Sequence, residues 1–188
     1  MRLAYLYMRA RQADRAVGYI ALTALFAWAW QYIGGESIPR VGPLMIVPPL
    51  GAAVVIGNGN LAPFGELETT MSLPLAPLRL LHMLGLLMVA VLGLAAANGL
   101  PAWAITRNIA GLTGLTLLTA RLFGGTLAWT LPLCFSIQAL ETSPDPAWNW
   151  PMHGAGDPRA AAIAAVLLLI GLSAIMPGGA PDRFRESG

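Results

Sequence analysis

Lysine is absent from the 188 residues, and all eleven basic residues are arginine. A phosphate loop of the G-x-x-x-x-G-K-[ST] kind needs a lysine, so this chain carries none. Cysteine occurs once, at Cys134, which excludes an intramolecular disulfide framework. Charge is scarce: 11% of the residues are charged, against about a quarter in an ordinary soluble domain. With 56% hydrophobic residues, that scarcity excludes a soluble globular reading and leaves a single integral-membrane unit.

The charges are also missing from long intervals. A charge at the centre of a bilayer costs about 2.5 to 3.5 kcal/mol on insertion scales, so charge-free intervals mark the expected crossings. The crossings drawn from them are 16–33, 41–57, 78–97, 102–123, 126–140 and 160–176, with Arg79 at the start of the third and Arg107 and Arg121 near the two ends of the fourth. At about 20 residues per spanning helix, six crossings use most of the chain. The expected fold is all-α and polytopic, with six transmembrane helices. Pro43, Pro48 and Pro49 predict a kinked second helix, because proline removes a backbone donor. Asn98-Gly-Leu-Pro101 supplies a tight turn between the third and fourth. The fifth run contains Pro132 and is only 15 residues long, short for a full crossing as a regular helix.

Orientation follows from the arginines. With the N-terminus inside, Arg2, Arg9, Arg11, Arg15, Arg79, Arg121, Arg183 and Arg185 lie in the cytoplasm, and Arg40, Arg107 and Arg159 lie outside. The positive-inside rule prefers this arrangement, with both termini cytoplasmic, in a bacterial inner membrane. Residues 1–15 place Leu3, Leu6, Tyr7, Ala10 and Ala13 at helical spacing, with arginines opposite. Two readings stand: a helix lying on the cytoplasmic interface, or a basic leader that orients the first span. The run 16–33 is too long for a cleaved signal core and lacks an A-x-A site, so it reads as a retained first span.

Polar residues are organised in one place, the cytoplasmic loop 58–77. Gly65, Glu66, Leu67, Glu68, Thr69 and Thr70 can begin a short amphipathic helix, acidic in its first turn where the helix dipole favours carboxylates. Pro74 and Pro77 stop it before the third span. Such a helix can dock into a groove on a cytoplasmic partner. The order Glu66-x-Glu68, Thr69 or Thr70, Ser72-Leu-Pro-Leu75 and Arg79 resembles the coupling-helix region of ABC-type exporter permeases with six spans per subunit. The resemblance implies that Gly65, Glu66, Glu68, Thr69, Thr70 and Ser72 couple the chain to an ATPase. It further implies a dimer of permease subunits, expected to be a homodimer, working with two copies of a separate ABC ATPase. ATP and Mg are then bound by that partner, as the missing lysine requires.

Enzymatic readings fare worse. His82 and His153 fall on opposite sides of the expected membrane, Cys134 has no histidine nearby in sequence, and the spans hold almost no acids. No catalytic residue, metal site or cofactor of the chain's own is expected, nor any nucleic-acid partner. Arg107, near one end of the fourth span, has two readings: snorkelling to the interface, or facing a path for an anionic substrate. Trp28, Trp30, Tyr32, Trp103, Trp148 and Trp150 suit interfacial belts, and Trp148 with Trp150 can also form an external gate in the segment 141–159. Gly85 with Gly93, and Gly111 with Gly114, permit close helix packing, either in a dimer interface or within the chain. The alternative function is a non-transporting membrane scaffold or immunity-type subunit that anchors a partner. A secondary transporter would want intramembrane acids that are lacking.

Overall fold

The computed structural model describes Arg9 and residues 12–33, 41–59, 75–99, 101–142 and 148–176. Among these residues the regular structure is helical throughout, with no strand. Six helices follow one another: α1 (Ala13–Ile33), α2 (Val41–Asn58), α3 (Leu75–Asn98), α4 (Ala102–Phe123), α5 (Thr130–Glu141) and α6 (Pro158–Ile175).

Local chemistry sets the helix ends. Gln12 adopts φ 52°, a left-handed conformation that a continuing α-helix cannot contain, so α1 starts at Ala13. The residues expected to form an interfacial helix before it lie, apart from Arg9 and those from Gln12 onward, outside the described residues. Gly99 takes φ 59° between α3 and α4, and the Pro101 carbonyl accepts the amides of Ala104 and Ile105. Asp157 caps α6, its Oδ1 accepting the Arg159 amide at 2.9 Å. α2 runs through Pro48 and Pro49 as one helix.

The contacts fix the directions. Gln31, near the end of α1, donates to the carbonyl of Ala97, near the end of α3, so these two helices run the same way. Asn108 of α4 donates to Met45 early in α2, while Thr116 crowds Gly57 late in α2, so α2 and α4 run together. Arg79 at the start of α3 reaches Ile175 at the end of α6, which sets those two antiparallel. The end of the bundle that carries Gly59 and Leu75 is called lower here, and the end that carries Asn98 and Ala102 upper. α5 rises from the lower end for 12 residues, about 18 Å, and stops. Before it, Gly125–Leu127 forms a 3-10 turn where the fifth apolar run was expected to begin as helix.

α4 is the central element. Its buried face, from Ala104 to Ala120, meets α2, α3, α5 and α6. Ile20, Ile56, Leu86, Leu94, Ile109 and Leu117 belong to one apolar core, and Leu112, Trp150 and Ala164 to a second. Among the described residues two stretches, Pro77–Ala97 and Pro158–Ile175, are long and apolar enough to cross a membrane, and only 28% and 22% of them is buried within the chain. Gly42–Asn58 is apolar but shorter. Leu81, Leu84, Met88 and Leu92 on α3, and Val166, Leu169 and Ile170 on α6, point outward. A core helix of a soluble protein would turn such side chains inward.

Candidate functional site

Pro49 has no amide hydrogen, so the carbonyl of Met45, four residues earlier, has no helical donor. In an apolar interior an unpaired carbonyl is costly, and a side chain has to supply the donor. Asn108 of α4 does so, its Nδ2 standing 2.8 Å from the Met45 oxygen. The same nitrogen donates to the Pro151 carbonyl at 3.0 Å, and Asn108 Oδ1 accepts Arg107 Nε at 3.0 Å. Every polar atom of the amide is thus used, and Asn108 is 1% exposed.

Arg107 completes this cluster. Its guanidinium is turned inward, 3% exposed, and donates to the carbonyls of Pro151 (3.2 Å), His153 (2.9 Å) and Gly154 (2.9 Å). Both readings offered by the sequence, snorkelling or a substrate path, leave the group toward water. Here its donors are spent on backbone. Three carbonyls of one turn converge on one planar fork, a geometry that suits arginine and that lysine would not reproduce.

That turn belongs to a segment folded down beside α4. Asn149 Nδ2 donates to the carbonyls of Ala139 and Thr142 at the end of α5, closing a helix that stops partway up the bundle. Trp150 follows within the 3-10 turn Trp150–Met152, 1% exposed, with its ring in the space left by Gly111. A Cβ at Gly111 would overlap that ring. Phe135 of α5 stacks on Trp150 at 5.9 Å between centroids and meets Trp148 edge-on at 6.1 Å. Trp148 is 39% exposed, so the two tryptophans proposed together for a gate occupy different surroundings.

Past this point, His153 Nδ1 donates to Asp157 Oδ2, and the carboxylate also accepts the Arg159 amide. These two bonds, the histidine's first, hold the Asp157 carboxyl below the ordinary carboxylate range. The turn from Trp150 to Asp157 is therefore fixed at both ends, by α4 on one side and by the cap of α6 on the other.

α4 and α6 meet backbone to backbone. A Cβ at Gly114 would strike the Leu167 carbonyl, and one at Gly171 would strike the backbone of Gly114. Gly111 and Gly114, for which the sequence left a dimer interface or internal packing open, both pack within the chain. Gly85 has nothing within 4 Å of such a Cβ, and Gly93 has only Ala24, at 3.8 Å. At the lower end Arg79, 3% exposed, donates to the carbonyls of Ile175 (3.0 Å) and Met176 (3.4 Å), and His82 packs against Gly59.

Gly65, Glu66, Glu68, Thr69, Thr70 and Ser72 lie outside the described residues. His82 and His153 stand at opposite ends of the bundle, and among the described residues no three histidine, cysteine or acidic side chains gather to hold a metal. Asn108, the hub of the cluster, had no role in the sequence reading. Its signal was present: a Pro-Pro pair inside one apolar helix requires donors from elsewhere, and an Arg-Asn pair inside another can supply them. No protein-family model matches the chain, and no curated protein or solved structure matches it.

Proposed function

We propose that the chain is the membrane subunit of an ATP-driven ABC exporter, coupled through Glu66 and Glu68 to a separate ATPase. The observation that carries the transport reading is the Arg107–Asn108 cluster. It fixes a non-helical turn against α4 in the upper part of the bundle, in the same segment whose Asn149 closes the half-length α5. Irregular backbone at membrane depth is tolerated where protein buries it or a cavity hydrates it, and broken helices of this kind characterise transport proteins. The apolar outward faces of α3 and α6 support a bilayer setting. The six-span topology, cytoplasmic termini and inner-membrane location are part of the proposal and rest on the charge-free intervals and the distribution of arginine. The upper end of the bundle is then external and the lower end cytoplasmic.

In this reading two permease subunits form the path, and two ATPase subunits bind ATP and Mg. Closure of the ATPase pair pushes on the loop 60–74 and tilts the helices that flank it. The cargo is apolar or amphipathic, since the spans offer little to bind a strongly charged one. The test is purification of the tagged chain from its native host. An ATPase should accompany it, and Glu66→Ala with Glu68→Ala should weaken that association and abolish transport. Retention of both by the double variant would overturn the coupling assignment, and a companion without ATPase activity would favour the scaffold function instead.

A further inference from the structure

The lower end of the bundle brings together three segments that are distant in sequence. Arg79 lies in the first turns of α3, where the loop 60–74 returns to the bundle. His82, on the same helix, packs against Gly59, where that loop departs; a Cβ there would stand 3.3 Å from His82 Nε2. Arg79 itself is buried and donates to the carbonyls of Ile175, the last residue of α6, and Met176, its C-cap. A guanidinium at a helix C-terminus also meets the negative end of its dipole. Above this point α3 and α6 part around an apolar cavity lined by Met83, Leu84 and Leu87 on one side and Leu168 and Leu172 on the other. The hydrogen bonds of Arg79 are one place where α3 holds α6.

From α6 the connection continues without flexible side chains. Gly171 and Gly114 put two backbones in contact, so α6 cannot shift there without moving α4 or separating from it. α4 in turn grips the upper turn through Arg107, Asn108 and the Gly111–Trp150 fit. We infer that Arg79 is a positioning residue that transmits movement at the two ends of the cytoplasmic loop, through α6 and α4, to the external turn 148–157. The inference deepens the function proposed above and rests on its orientation. It does not require the ATPase to be identified.

The experiment uses the full chain in spheroplasts of its host, with Cys134→Ala as background and a membrane-impermeant maleimide as the probe. One thiol is introduced by Trp148→Cys in the external turn and, in a second protein, one by Tyr32→Cys at the outer end of α1, both at exposed positions. Arg79→Gln should speed labelling at position 148 by about 2- to 30-fold, the range in which single changes alter coupling between sites. Labelling at position 32 should not change. Arg79→Lys should return the rate at position 148 toward the parent's, and Arg121→Gln, at an exposed arginine on the same face, should leave it there. An unchanged rate at position 148 in Arg79→Gln would overturn the inference, and so would an equal rise at both positions, which signals general loosening. If the parent thiol at position 148 reacts only after permeabilisation, the orientation is wrong and the inference falls with it. If it reacts in intact spheroplasts but ignores Arg79, only the inference falls.

Discussion

Asn108 makes sense only beside Pro49. One removes a backbone donor from α2 and the other returns it from α4, so the two residues should behave as a coupled pair. Asn108→Leu leaves the Met45 carbonyl unpaired in an apolar interior and should destabilise the purified protein by about 1 to 3 kcal/mol. In a Pro49→Ala background the helical amide is restored, and the same substitution should cost measurably less. A double-mutant cycle on thermal unfolding in detergent reads the difference, and additive losses would refute the pairing. Asp157 gives a pH dependence of known sign. Its carboxyl is held low in the folded chain by His153 and the Arg159 amide, against an unfolded value of about 3.9. Its contribution is therefore full above that unfolded value and is lost as pH falls through the folded one. Unfolding temperatures measured between pH 7 and pH 3 should fall at the acid end in the parent, and Asp157→Asn should flatten that part of the curve.

Among the helices, the contrast between two glycines separates packing from propensity. At Gly114 any side chain meets the backbone of Leu167, which has no rotamer to change. Gly114→Ala should cost about 1 to 3 kcal/mol through the separation of α4 and α6. Gly85 sits on an open face of α3, and Gly85→Ala should leave stability unchanged or raise it by about 0.5 to 1 kcal/mol through helix propensity. Equal effects in a melting comparison would mean that the α4–α6 crossing is not close. The helices themselves were legible in the sequence because a charge-free interval reports a local property, and α2, α3, α4 and α6 fall within a few residues of the intervals that predicted them. The short reach of α5 was legible for the same reason, from 15 apolar residues and Pro132. The cluster at Arg107 was not. Its carbonyl partners lie 44 to 47 residues further along, and no local pattern reports such a pairing.

For the whole molecule, those same separations set an order of events in biosynthesis. On the membrane reading, α4 leaves the ribosome with a guanidinium, an amide and several threonines on the face that will become its most buried. The hydroxyls of Thr116 and Thr119 look after themselves by bonding back to carbonyls four residues earlier. Arg107 and Asn108 have no such recourse. At roughly 5 to 20 residues per second, the chain that satisfies Arg107 arrives about 2 to 9 s later. During that interval α4 is a span of marginal insertion energy, held by contact with α2 or by the insertion machinery. Synthesis of a turn that precedes α6 therefore completes the burial of a helix made long before it, and α4 has its full set of partners only when residues 150–154 have been made.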